Sequence, residues 1–407
     1  MLLAIVQPVD DQLTGRLAEL AVRFGARVQP EQILVVNSQI ESAPLARAIA
    51  AAAYQAGARH VEVSYSDPWV RRARIEHGVD ESIGYAPPWQ VDRIHALGAE
   101  RVAVISLEAA LDPAATEGLD IARLGADQSP VRQAYLRLVI ERLINWCIIA
   151  SPTHAWAAQV HPDLSPDDSL ARLSAEIAHM CRLDEADPVA AWQQRFDRLS
   201  EVGTWMTEQH FSSIHLSGEG TDLTVGLFPS SQWLSAEFKT AGGLVHHPNL
   251  PTEELFTTPD PARTQGVVRS TKPLDIDGSL ITGLTVEFDT GNAVRIDADT
   301  NAELLRSRAG RDDGAARLGE LALVDGEGRI GALDTVFYST LIDENAASHI
   351  ALGSGLTHAV AEDEERARVN ESSIHIDFMI GSPEVDVDGV HADGRRVPVL
   401  RGGQWQI

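Results

Sequence analysis

Apolar and polar positions change rhythm part-way along the chain. In the first half, short β-branched runs alternate with longer stretches of helical spacing. ILVVNSQ (33–39) is followed by a helical stretch from Ala43 to Ala56 and Gly57, then by HVEVSYSD (60–67) and RVAVISLE (101–108). INWCIIASP (144–152) reads as a fourth strand. Strand-length apolar runs separated by helices imply right-handed βαβ units and a parallel sheet. Residues 165–208 read as helices: SPDDSLARLSAEIAHMCRL opens on capping residues, and DPVAAWQQRFDRLSEVGTWM carries Pro188 early in its helix.

Beyond residue 209 the period shortens. SSIHLSGEGTDLTVGL reads as two strands around a Gly turn, and LITGLTVEFD, AVRIDAD, GELALVD and SIHIDFMIG alternate or run apolar for 4–8 residues. The pattern predicts an α/β N-terminal domain with an open, mostly parallel sheet over 1–208. A β-rich α+β domain follows over 209–407.

Composition narrows the function classes. The 407 residues include 33 Lys+Arg against 59 Asp+Glu, a formal net charge of −26. That balance argues against nucleic acid and against an anionic membrane as partners, because both attract cationic surfaces. Two cysteines, Cys147 and Cys181, exclude a disulfide scaffold and a Cys-based zinc cluster. The N-terminal MLLAIVQPVDDQ lacks a basic segment before its apolar run, and no apolar stretch reaches ~18 residues. A soluble, cytoplasmic protein is the expectation. G-x-G-x-x-G after a strand, a Walker A loop, G-x-S-x-G and H-E-x-x-H are all absent.

Metal-competent side chains concentrate in four segments of the second half. HHPNLPTEELFTTPD (246–260) presents Glu253 and Glu254 side by side. Neighbours in an extended segment point in opposite directions, so one could bind metal while the other takes another role. RLGELALVD (317–325) sets Glu320 at the start of an apolar strand, where a carboxylate is costly unless paired or metal-bound. In LIDENAASHIALGSG (341–355), Asp343, Glu344 and Asn345 read as a cap for a helix AASHIALG, with His349 in its first or second turn. In SSIHIDFMIG (372–381), His375 and Asp377 share one strand face. Taken singly, each segment has an ordinary structural reading as a cap, an acidic loop or a hydrogen-bonded pair. Together they offer Glu254, Glu320, Glu344, His349, His375 and Asp377, four carboxylates and two imidazoles, a set suited to two metals.

At these residues the chain resembles the thermophilic aminopeptidases, the aminopeptidase T family of metallopeptidases. The matching segments are LAVRFGARVQPEQILVVNS, NLPTEELFTTPD, STKPL (270–274), AARLGELALVD, DTVFYSTLIDENAASHIALG and NESSIHIDFMIGSPEVDVDG, so the resemblance spans essentially the whole chain. It implies a homodimeric exopeptidase that removes N-terminal residues from peptides with a free N-terminus. It also implies two divalent ions, Zn²⁺ or Co²⁺ with Mn²⁺ as a further choice, held by Glu254, Glu320, Glu344, His349, His375 and Asp377. Glu320 would be the bridge. Glu253, where it is not itself the ligand in place of Glu254, is the candidate general base. One position departs from the family: a tyrosine is expected seven residues after His349, and Leu356 stands there. Loss of one donor to a developing oxyanion typically costs roughly 100–1000-fold in rate. Tyr338 and His358 are the residues considered as replacements. Two other readings compete: a metal-binding relative with lost or altered peptidase activity, and a non-enzymatic α/β ligand-binding protein.

Overall fold

The computed structural model describes residues 11–407 apart from 110–112, 121–122, 124–126, 128–129, 236 and 277–278. The N-terminal apolar run read above lies within residues 1–10, outside the described residues. The chain forms two compact units, Met1–Trp192 with Glu237–Pro251, and Gln193–Ala236 with Thr252–Ile407.

The first unit carries the predicted parallel sheet. Its strands are β1 (Ile33–Gln39), β2 (His60–Ser66), β3 (Ala103–Glu108) and β4 (Asn145–Ala150). They lie in the order β4-β3-β1-β2, and every pair is parallel. Helices such as Ala43–Gln55 and Pro88–Ala99 make the crossovers. The short strand Asn249–Leu250 joins beside β4, also parallel. That pairing is why residues 237–251 group with the first unit, although they fall within the 209–407 segment of the sequence reading. Residues 193–208, the larger part of the helix Pro188–Glu208, group with the second.

The second unit is built mainly on an eight-stranded and a five-stranded antiparallel sheet. An eight-stranded sheet includes Ser213–Gly218 and Thr221–Leu227, the hairpin expected around Gly220. The smaller sheet runs β5 (Leu234–Ser235), β6 (Glu254–Thr257), β7 (Leu318–Val324), β8 (His349–Gly353) and β9 (His375–Met379), in the order β9-β8-β7-β6-β5. One face of it is apolar. Leu255, Leu321, Leu323, Ile350, Leu352 and Phe378 join a single core with Ile214, Leu216, Val225, Val286 and Phe288 of the larger sheet. Side chains alternate along a strand, so burying this set commits the intervening positions to the opposite face.

The structure corrects one element. AASHIALG is not a helix: His349–Gly353 is strand β8, wholly buried and paired on both sides. Its period is two, with Ile350 and Leu352 in the core and His349, Ala351 and Gly353 on the other face. Asp343 caps no following helix. Its carboxylate accepts the backbone N–H groups of Phe337 and Ser339 instead.

Candidate metal centre

Register assembles the centre. Across the small sheet Glu254 pairs with Val324, Ala322 with His349, Glu320 with Ala351, Ala351 with Asp377, and Gly353 with His375. Directly opposed residues share a face. Glu254, Glu320, His349, His375 and Asp377 therefore project from the face opposite the core, with Ala322 and Ala351 between them. Two local devices set this phase. A bulge at Gly319 separates Leu318, in the core, from Glu320, which without it would share the face of Leu318. Gly353 has φ 111° and leaves no room for a side chain, since an added Cβ would lie 2.1 Å from the Ile374 carbonyl oxygen.

The side chains converge in two overlapping groups, Glu254–Glu320–His349 and Glu320–His375–Asp377, each with its donor atoms within 4.8 Å of one another. His349 Nε2 is 3.2 Å from Glu254 Oε2, and His375 Nε2 is 3.1 Å from Glu320 Oε2 and 3.4 Å from Asp377 Oδ1. Backbone carbonyls orient both rings: Nδ1 lies 3.2 Å from Ala347 O in His349 and 2.8 Å from Ser354 O in His375. A proton held on Nδ1 leaves Nε2 aimed at the carboxylates, the usual second partner of a metal-binding histidine. His375 faces solvent most, with 31% of its side chain exposed.

The electrostatics suit a bound cation. Burial alone would lower the pKa of His349, but its hydrogen bond to Glu254 and the surrounding carboxylates raise it to about 10. Burial would also lower that of His375, yet the charge of Asp377 and the hydrogen bonds to Asp377 and Glu320 raise it to about 12. Glu320 is pushed up by burial and by the charges of Asp377 and Glu254. Asp377 is held down by the His375 imidazolium against the pull of its burial. Three packed carboxylates thus retain two protons on neighbouring rings, and a divalent ion would serve the same balance.

Glu344 lies outside both groups, half-buried in the turn before β8. Burial raises its carboxyl well above the usual range, and the charges of Asp377 and Glu254 add to the effect. Glu253, the expected general base, sits in a different setting from the ligand side chains. It is fully buried, and its Oε2 accepts from Arg195 Nε at 2.6 Å. Leu356 is half-buried beyond the end of β8, its N–H donated to Thr258 Oγ1 at 3.1 Å. His358 packs edge-on against Phe256, ring centroids 6.0 Å apart. Sequence reasoning missed Arg195, Ala322 and Ala351, and read Asn345 only as a helix cap. The two alanines carry a signal, a small residue in phase with each ligand in ELALV and HIALG.

A family profile described as thermophilic metalloprotease (M29) matches residues 10–405. The chain belongs to the M29 family. Aminopeptidase T of Thermus aquaticus is 39% identical over 404 residues, covering 97% of this chain and 98% of the relative. Aminopeptidase PepS of Streptococcus thermophilus is 35% identical over 414 residues, covering 99% and 100%. Among solved structures, wild-type AmpT from Thermus thermophilus superposes with a TM-score of 0.92 at 36% identity, over 97% of this chain and 99% of that one. The resemblance read from the motifs thus holds over nearly the whole chain. Membership of a metalloprotease family implies a divalent metal cofactor, in keeping with the donor set described above.

Proposed function

We propose that the protein is a metal-dependent aminopeptidase that hydrolyses the N-terminal residue from peptides at a two-metal centre. The observation that carries this reading is that Glu320 belongs to both ligand groups. A carboxylate has two oxygens, and a residue common to two adjacent donor sets suits a bridge between two ions. Glu254 and His349 would complete one site, His375 and Asp377 the other, with Glu344 as the sixth candidate ligand. Mixed nitrogen and oxygen donors suit Zn²⁺ or Co²⁺, and Mn²⁺ fits as well. Bound there, such ions would lower the pKa of a shared water toward neutrality and polarise a peptide carbonyl. The protein's part is to fix ring orientation through Ala347 O and Ser354 O, and to concentrate carboxylates that recognise a cationic α-amine. That recognition would confine cleavage to the first residue. As proton carrier, Glu253 would work from a carboxylate whose Oε2 is held by Arg195.

Peptides with a free N-terminus are the proposed substrates, and a cytoplasmic homodimer the proposed form. Among the described residues no helix is long and apolar enough to cross a membrane. Leu356 favours a second reading, in which metal is bound but peptidase activity is lost or altered. His375→Ala separates site from scaffold. We expect metal content and metal-dependent turnover to collapse while circular dichroism stays native. Unchanged activity would refute the ligand assignment.

A further inference from the structure

Behind the ligand face lies a buried polar network that the proposed chemistry does not use. Arg195, 5% exposed on the helix Pro188–Glu208, grips Asp325 with both terminal nitrogens at 2.9 Å. Its Nε donates to Glu253 Oε2, and its Nη2 donates to the Glu253 carbonyl at 3.3 Å. Trp405 Nε1 also donates to Asp325. From the other side, the Glu253 N–H donates to Asn345 Oδ1 at 2.7 Å, and Asn345 Nδ2 donates to the Leu341 carbonyl at 3.1 Å.

Three of its members, Glu253, Asp325 and Asn345, sit next to the centre along the chain. Glu253 precedes Glu254. Asp325 follows Val324, the residue paired with Glu254 across β6 and β7. Asn345 follows Glu344 and stands four residues before His349. Burying one guanidinium with two carboxylates gains little net stability over well-packed apolar side chains. What the network does supply is geometry: a planar fork with five donors fixes two backbones at once.

We propose that Arg195 is a positioning residue for the metal centre: through Glu253 and Asp325 it fixes the strand ends that aim Glu254, and Asn345 ties that frame to the turn bearing Glu344. The inference rests on the two-metal reading above. It gives Glu253 a supporting role in place of proton transfer.

The test compares Arg195→Lys and Glu253→Gln with the wild-type full chain, measuring Zn²⁺ affinity by equilibrium dialysis together with kcat, KM and thermal unfolding. Lysine keeps the charge but loses the fork, and glutamine keeps the shape but loses the charge. Partners of this kind typically set metal affinity by about 10–100-fold. We expect both variants to bind Zn²⁺ more weakly by that factor, with kcat of Arg195→Lys recovering toward wild type at saturating Zn²⁺. Wild-type Zn²⁺ affinity in either folded variant overturns the proposal. A fall in kcat at unchanged affinity in Glu253→Gln also overturns it and returns Glu253 to the role of base. Should Arg195→Lys fail to fold, the near-isosteric Glu253→Gln decides alone. If the wild-type chain itself binds no Zn²⁺, Co²⁺ or Mn²⁺, the metal reading falls and this inference falls with it.

Discussion

His349 and His375 hold the balance of charge in the centre, and their protonation gives the account a thermodynamic test. Both pKa values lie above the ordinary imidazole value near 6.5, at about 10 and about 12. A histidine raised on folding stabilises the metal-free chain fully below the unfolded value. That contribution is lost as pH rises through the folded value. At pH 7.5 both rings of the metal-free chain therefore carry protons that must leave when Nε2 takes a metal. Calorimetric titration with Zn²⁺ in buffers of different ionisation enthalpy should report release of at least two protons per chain, with apparent affinity rising with pH. Uptake of metal with no proton release would contradict the assignment of both histidines. At this scale the sequence was legible in residue type but not in pairing. The adjacent carboxylates Glu253 and Glu254 are chemically identical. What separates them is Arg195, 58 positions away from Glu253.

The sheet converts alternation into a ligand face. The strands around Glu320 and His375 were readable because ELALV and HIDFM alternate polar or small with large apolar residues. His349 was harder. Ala and Leu in AASHIALG favour a helix locally, and the deciding term is pairing between β7 and β9, to which β-propensity yields. The same pairing makes Ala322 and Ala351 the floor between the ligands. Ala351 stands opposite both Glu320 and Asp377, so Ala351→Leu would fill the space that the donor atoms surround. We expect a loss of about 1–3 kcal/mol in unfolding free energy from overpacking, with bound metal falling far below the wild-type content. Full metal loading of the folded variant would show that the ligands project elsewhere.

Across the whole molecule, the α/β and β-rich halves were visible as a change of period, because buried parallel strands and half-buried antiparallel ones pattern differently. The return of residues 237–251 to the first unit was not visible, since Asn249–Leu250 is a two-residue strand with no periodicity to read. Family membership joins these parts to a reaction, and Leu356 is the position at which the sequence reading expected a tyrosine. The measurement that bears most directly on the account is free amino acid release from a panel of short peptides. It compares chelated protein with the same protein after Zn²⁺, Co²⁺ or Mn²⁺ is restored. The account predicts release of the N-terminal residue alone, lost on chelation and regained with metal. No release from folded, metal-loaded protein on any peptide would contradict it, and would make Leu356 the mark of a lost or altered activity.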